Sequence, residues 1–116
     1  MLTVYGIKQC DTVRKALKWL DQQGFEHRFH DFRSDGLPPG LLQSWLNSDF
    51  SGVLVNRRST TWRQLSEAQR QSEGEALLKL LLQFPTLIKR PVIVTDQIVA
   101  VGFNPEELEA RLPGGD

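Results

Sequence analysis

A single cysteine, Cys10, stands where a short apolar run (Leu2 to Tyr5) gives way to an amphipathic segment beginning near Asp11. A thiol at the start of a helix meets unpaired backbone N–H groups and the positive end of the helix dipole, and both favour thiolate over thiol. The thiolate is the nucleophile of sulfur chemistry. The position therefore points to a reactive group rather than to a small core side chain. With one cysteine in the chain, no intramolecular disulfide can form.

The neighbours of Cys10 pull in different directions. Arg14, one helical turn on, and Lys8, two residues earlier, are cations that could help to hold a thiolate or an anionic substrate. Thr12 could reach the sulfur through its hydroxyl, although threonines at helix starts mostly satisfy backbone. Asp11 opposes a low thiol pKa but suits the first turn of a helix, and we read it as structural. Further cations cluster at Arg57, Arg58 and Arg63, and at Lys89 and Arg90. Such clusters are ordinarily a solvated face and need independent support before they carry function.

Other constellations fail on geometry. His27 and His30 are three apart on an expected strand, so they should point to opposite faces. No second cysteine or carboxylate cluster completes a metal site, and no metal is expected. There is no glycine-rich phosphate loop. Trp19, Trp45 and Trp62 are dispersed in helical segments and read as packing residues.

The elements that must position Cys10 are legible in outline. Residues 2 to 5 predict a strand, with the loop Gly6 to Gln9 after it. Val13, Ala16, Leu17 and Leu20 follow helical spacing, and Gly24 supplies a stop, which predicts a helix over about 11–23. Phe25 to Phe32 reads as a partly exposed edge strand, parallel to the first because strand, helix and strand span about thirty residues. From Leu37 to Phe84 the pattern is helical, in about three short helices. Thr61 with Gln64, and Ser72 with Glu75, fit capping boxes.

Pro91 then opens the apolar run Val92 to Val94. Asp96-Gln97 reads as a two-residue turn, and Ile98 to Val101 as the second arm of a hairpin. Asn104, Pro105 and Glu107 mark the start of a last helix. The expected fold is α/β: a thioredoxin-like fold with a mixed four-stranded sheet (1–36 and 86–112) and a helical insertion at about 37–85. We expect one domain over 1–116, with a frayed tail from Pro113 to Asp116.

Composition bounds the function classes. The chain has 116 residues, 40% hydrophobic and 24% charged, which suits an ordinary globular domain. Fourteen basic residues balance fourteen acidic ones, so no overall field draws it to nucleic acid or membrane. The N-terminal residues do not read as a signal peptide, and Ala76 to Leu82 is too short to span a bilayer. A cytoplasmic setting is expected, where thiols stay reduced. No heptad or large apolar surface signal suggests more than a monomer.

Two segments, Tyr5 to Ala16 (YGIKQCDTVRKA) and Ile88 to Val94 (IKRPVIV), resemble the arsenate reductase (ArsC)/Spx family. The stretch Asn56 to Arg63 (NRRSTTWR) is most similar to its YffB-like subgroup. The resemblance covers residues 2 to 111. It implies a thioredoxin-like sandwich with an inserted helical subdomain, a catalytic cysteine at Cys10, and a catalytic arginine at Arg90. It also implies a cis-proline at Pro91 that shapes backbone for substrate.

Departures from the family pattern bear on the substrate. The late arginine of glutathione-linked arsenate reductases has no counterpart in Val99 to Asn104, Gly6 replaces their loop histidine, and the middle arginine aligns among Asn56, Arg57 and Arg58. The second cysteine typical of the Spx branch is Val13. What the resemblance leaves is monothiol chemistry: a glutathione-dependent thiol-disulfide reductase, with glutathione as co-substrate and no metal. Arg90 and one of Arg57 or Arg58 suit the two glutathione carboxylates. Arsenate reduction, or a Spx-like regulator binding RNA polymerase, are the alternatives.

Overall fold

The computed structural model describes residues 2–112, so the expected fraying of Pro113 to Asp116 lies outside the described residues. In chain order the elements begin with β1 (Leu2–Gly6), α1 (Asp11–Gln22) and β2 (His27–Asp31). Four α-helices follow: α2 (Pro39–Leu46), α3 (Thr60–Gln64), α4 (Glu67–Arg70) and α5 (Gly74–Gln83). The chain then returns through β3 (Val92–Val94), β4 (Ile98–Val101) and α6 (Pro105–Arg111). Short 3-10 turns at Ser51–Val53 and Pro85–Leu87 complete the set.

Two compact units divide the chain, one from the segments up to Gly36 and from Arg90 onward, the other Leu37–Lys89. The return segment just before Arg90 belongs with the second unit rather than with the sheet. Hydrogen bonds fix it there: Asn56 N–H donates to the Leu87 carbonyl at 2.7 Å, and Lys89 N–H to the Leu54 carbonyl at 2.7 Å.

The sheet of the first unit is mixed, in the order β2-β1-β3-β4. β1 and β2 run parallel, with Val4 opposite Phe29, and β3 is antiparallel to both β1 and β4. Alternation along β1 sends Leu2 and Val4 into one core with Leu20 of α1, Ile93, Ala100, Leu108 of α6 and Leu112. α1 and α6 therefore cover the same face of the sheet. The β3–β4 connection differs from the expected two-residue turn. Val94 pairs with Ile98, leaving Thr95 to Gln97 between the strands, and the register shifts beside Val99.

Helix ends show which local signals were used. α1 stops in a Schellman arrangement: Gly24 has φ +78°, its N–H donates to Asp21, and Phe25 N–H donates to Leu20 at 3.0 Å. Asn104 caps α6 by accepting from the amides of Glu106 and Glu107. Both expected capping boxes are displaced. α3 is capped by Ser59, whose hydroxyl accepts from Trp62 N–H, while the Thr61 hydroxyl bonds Thr86 at 2.7 Å. α5 starts after Glu73 with no side-chain cap, so Ser72 does not serve. The real box is Ser66 with Gln69, at α4.

In the second unit α2 packs against α5, and Leu42, Trp45, Leu54, Leu65, Leu80, Leu81, Leu87 and Ile88 are buried. The insertion thus holds one more α-helix than expected, because α3 and α4 are separate short turns around the extended residue Leu65.

Gly6 ends β1 against the first turn of α1. A Cβ added there would lie 2.6 Å from Val13 Cγ2, and Val13 is fully buried. Gly6→Ala is expected to cost about 1–3 kcal/mol, the usual range for overpacking a core contact. Val13→Ala should relieve part of that cost, read as a coupling between the two changes in denaturant unfolding.

Candidate active site

Cys10 is the N-cap of α1, with φ −79° and ψ 122°, and its sulfur is partly exposed. The turn before it is closed by Cys10 N–H donating to the Ile7 carbonyl at 3.0 Å, and the helix begins with Arg14 N–H donating to the Cys10 carbonyl at 3.1 Å. The side chain makes no regular cap hydrogen bond as a thiol. The amides of Val13 and Thr12 nevertheless address the sulfur and favour its anionic form.

Burial alone would push the Cys10 thiol up. It is outweighed by the Val13 amide, by a hydrogen bond and the positive charge from Arg90, and by the Thr12 amide, so the thiol lies below its ordinary value. Thr12 acts here through its backbone N–H, whereas the sequence suggested its hydroxyl.

Arg90 is half-buried and precedes a cis peptide bond to Pro91, as the resemblance implied. Pro91 is buried, and its carbonyl accepts from Gly102 N–H at 2.8 Å, which anchors the start of β3. The Cys10 loop and the Arg90–Pro91 segment therefore meet at one end of the sheet. That end holds a thiol, a guanidinium and two backbone amides directed at the sulfur, an arrangement suited to forming and breaking bonds at sulfur.

The remaining cations near Cys10 do different work. Arg14 Nε donates to the Lys8 carbonyl at 3.2 Å, and its guanidinium pairs with Asp11 at 3.5 Å. Arg14 therefore braces the loop that carries Cys10. The Lys8 side chain is exposed, while its backbone N–H donates to Asp31 Oδ2 at 3.0 Å.

Asp31 was not singled out in the sequence. It is a buried charged residue at the end of β2, accepting from the amides of Lys8, Arg33 and Ser34. Burial raises its carboxyl, but those three amides and the Arg33 charge hold it below the usual carboxylate value. Only its place in the chain, at the end of an expected strand, could have drawn attention to it.

The histidines sit as expected on opposite faces. His27 lies 3.6 Å from Asp21 of α1, whereas the His30 ring rests 4.9 Å from that of Tyr5.

Arg57 and Arg58 belong to the second unit and are both exposed. The Arg57 guanidinium lies over the Trp62 ring, 5.8 Å from its centre, a cation–π contact. Arg58 N–H donates to Asn56 Oδ1 at 3.1 Å, and Arg58, Arg57 and Lys89 all line an open cleft of about 600 Å³. The cleft collects three cations and no acid.

Comparison with known proteins places these observations in a family. The model of the ArsC family matches residues 5–111. An uncharacterized protein of Haemophilus influenzae is 50% identical over 111 residues, covering 95% of this chain and 97% of that protein. The solved structure of a YFFB protein superposes with a TM-score of 0.87 at 37% identity, covering 97% of this chain and 99% of that one. The global transcriptional regulator Spx of Streptococcus pneumoniae is 29% identical, over 97% of this chain and 86% of its own.

Proposed function

Since the chain belongs to the ArsC family, we propose that it is a glutathione-dependent thiol-disulfide reductase with Cys10 as its single nucleophile. The observation that carries the reading is the convergence of the Arg90 guanidinium and the Val13 and Thr12 amides on the Cys10 sulfur, which lowers its pKa. The Cys10 thiolate attacks the glutathionyl sulfur of a mixed disulfide. A Cys10–glutathione disulfide forms, and the substrate leaves as a thiolate that takes up a proton. A second glutathione thiolate then attacks the glutathionyl sulfur, releasing oxidised glutathione and regenerating the Cys10 thiolate. Overall, the sulfur of the incoming glutathione is oxidised and the substrate sulfur is reduced, while the transferred glutathionyl sulfur stays at the disulfide level.

The single cysteine supports the reading that the reductant is a thiol from outside the chain. Val13, which stands where a resolving cysteine would be, is a core residue packed against Gly6. This also weighs against a regulator switched by an internal disulfide. Arg90 is proposed to bind a carboxylate of glutathione as well as to hold the thiolate, since a guanidinium offers paired donors to a carboxylate. The cytoplasm, where glutathione is abundant, is the proposed setting. No helix among the described residues is long and apolar enough to cross a membrane.

The direct test is to incubate reduced protein with oxidised glutathione and weigh it. The reading predicts a gain of one glutathionyl group, mapped to Cys10 and removed by fresh glutathione. No adduct under these conditions, with the protein retained on RNA polymerase in a pull-down, would favour the regulator reading instead.

A further expectation concerns the basic cleft. Arg58→Ala should raise the glutathione concentration for half-maximal transfer by about threefold to tenfold, the scale of one exposed charge-assisted contact. Arg57→Ala should do less, because the Arg57 guanidinium is already engaged over Trp62. Saturation curves for the two variants that match the unaltered protein would return both arginines to a solvated face.

A further inference from the structure

We propose that Asp31 is a positioning residue for Cys10, acting through the backbone of the loop between β1 and α1. The proposal rests on the reading of Cys10 as the nucleophile. A buried carboxylate is costly unless hydrogen bonds satisfy it, and the bonds of Asp31 divide between its two oxygens. Oδ1 accepts from Arg33 N–H at 2.7 Å and Ser34 N–H at 3.2 Å, closing the turn that follows β2. Oδ2 instead reaches back along the chain to Lys8 N–H at 3.0 Å.

The local turn does not require a charged residue, because asparagine or serine side chains close such turns as well. The second oxygen provides what they cannot, a tie to the loop that ends on the nucleophile. The sheet makes the tie possible: parallel pairing sets Gly6 opposite Asp31, and Phe32 N–H donates to the Gly6 carbonyl at 2.8 Å. The carboxylate therefore meets the chain just as it leaves β1.

Lys8 is held from both sides. Asp31 takes its N–H, and Arg14 Nε donates to its carbonyl at 3.2 Å. Two residues later the chain reaches Cys10, whose N–H closes on Ile7. A loop pinned on both flanks of Lys8 fixes the sulfur, at the N-cap of α1, against the one partner that comes from a distant segment, Arg90. Releasing the Asp31 tie lets the sulfur drift from that guanidinium, and the thiolate loses part of its stabilisation. The other charged groups around Asp31 are Arg33 and Asp35. The Asp35 carboxylate accepts from Asp31 N–H at 2.9 Å.

The test uses two substitutions that keep the turn and remove the tie. Asp31→Asn retains an oxygen for Arg33 and Ser34 but turns an amide donor toward Lys8 N–H. Asp31→Ser closes the turn with a hydroxyl too short to reach Lys8. The readout is the rate of Cys10 alkylation by iodoacetamide across pH, beside circular dichroism and thermal unfolding. Both variants should fold, and their midpoints should rise toward that of a free thiol, about 8.5. Alkylation at neutral pH should slow about fivefold to tenfold, as expected when the thiolate fraction falls. Asp35→Asn, which leaves the Lys8 bond intact, should keep the original midpoint.

An unchanged midpoint in both Asp31 variants overturns the proposal, and so does failure of both to fold, which would make Asp31 a stability residue. Collapse of the nucleophile reading looks different. It would show as an unshifted thiol in the unaltered protein, before any variant is compared.

Discussion

Cys10→Ser is expected to reduce glutathionyl transfer to the background rate of free glutathione, with the fold retained. A serine hydroxyl is not ionised near neutral pH and cannot take a glutathionyl group, whereas serine is a favoured N-cap residue. The thiol makes no regular cap bond at α1, so stability should hold or rise slightly. A mixed-disulfide transfer assay and thermal unfolding read the two halves separately. Transfer that survives in the serine variant would place the chemistry elsewhere.

The same pair of proteins should differ in how stability depends on pH. The folded-state pKa of Cys10 is lowered. Its ionisation therefore contributes stability that is fully present above the unfolded thiol's value, about 8.5, and is lost as pH falls through the folded midpoint. The original protein should gain stability relative to Cys10→Ser as pH rises across that window. The gain should level off once the unfolded thiol also ionises.

The second large effect belongs to Arg90. Its guanidinium both hydrogen-bonds and electrostatically stabilises the Cys10 thiolate, against burial that favours the neutral thiol. Arg90→Ala should raise the alkylation midpoint and slow alkylation at neutral pH by tenfold or more, since a close opposite charge typically shifts a pKa by about 1–3 units. Arg90→Lys keeps the charge but loses the planar, two-pronged donor. It should lie between the two in thiol reactivity, yet weaken glutathione binding nearly as much as Ala. Equal alkylation profiles for the original protein and Arg90→Ala would remove Arg90 from the site.

Much of this site was legible because its signals are local. The N-cap place of Cys10 follows from where the apolar strand ends and the helical period begins. Gly24 and Asn104 could be read for the same reason, since each acts on residues within one turn. The cis bond at Pro91 came from the family resemblance and not from the spacing of residues.

What stayed hidden depends on contacts across the chain. Asp31 looked like one more polar residue on an edge strand, and its role comes from an oxygen reaching a backbone amide in another loop. The capping boxes failed for a related reason. The pattern of a hydroxyl followed three residues later by Glu or Gln occurs at Thr61, Ser66 and Ser72 alike. Tertiary structure chose Ser66, drew the Thr61 hydroxyl to Thr86, and started α5 beyond Ser72 at Gly74, where φ is +57°.

The central claim is that Cys10 is a thiol activated by its setting. Its most direct test is the pH dependence of Cys10 alkylation in the unaltered, reduced protein, with each adduct counted by mass so that only this sulfur is read. The account predicts a midpoint clearly below that of a free thiol, about 8.5, and a neutral-pH rate above that of glutathione under the same conditions. A midpoint at or above the free-thiol value would contradict it, because the Arg90 guanidinium and the α1 amides would then fail to offset the burial they are placed to oppose.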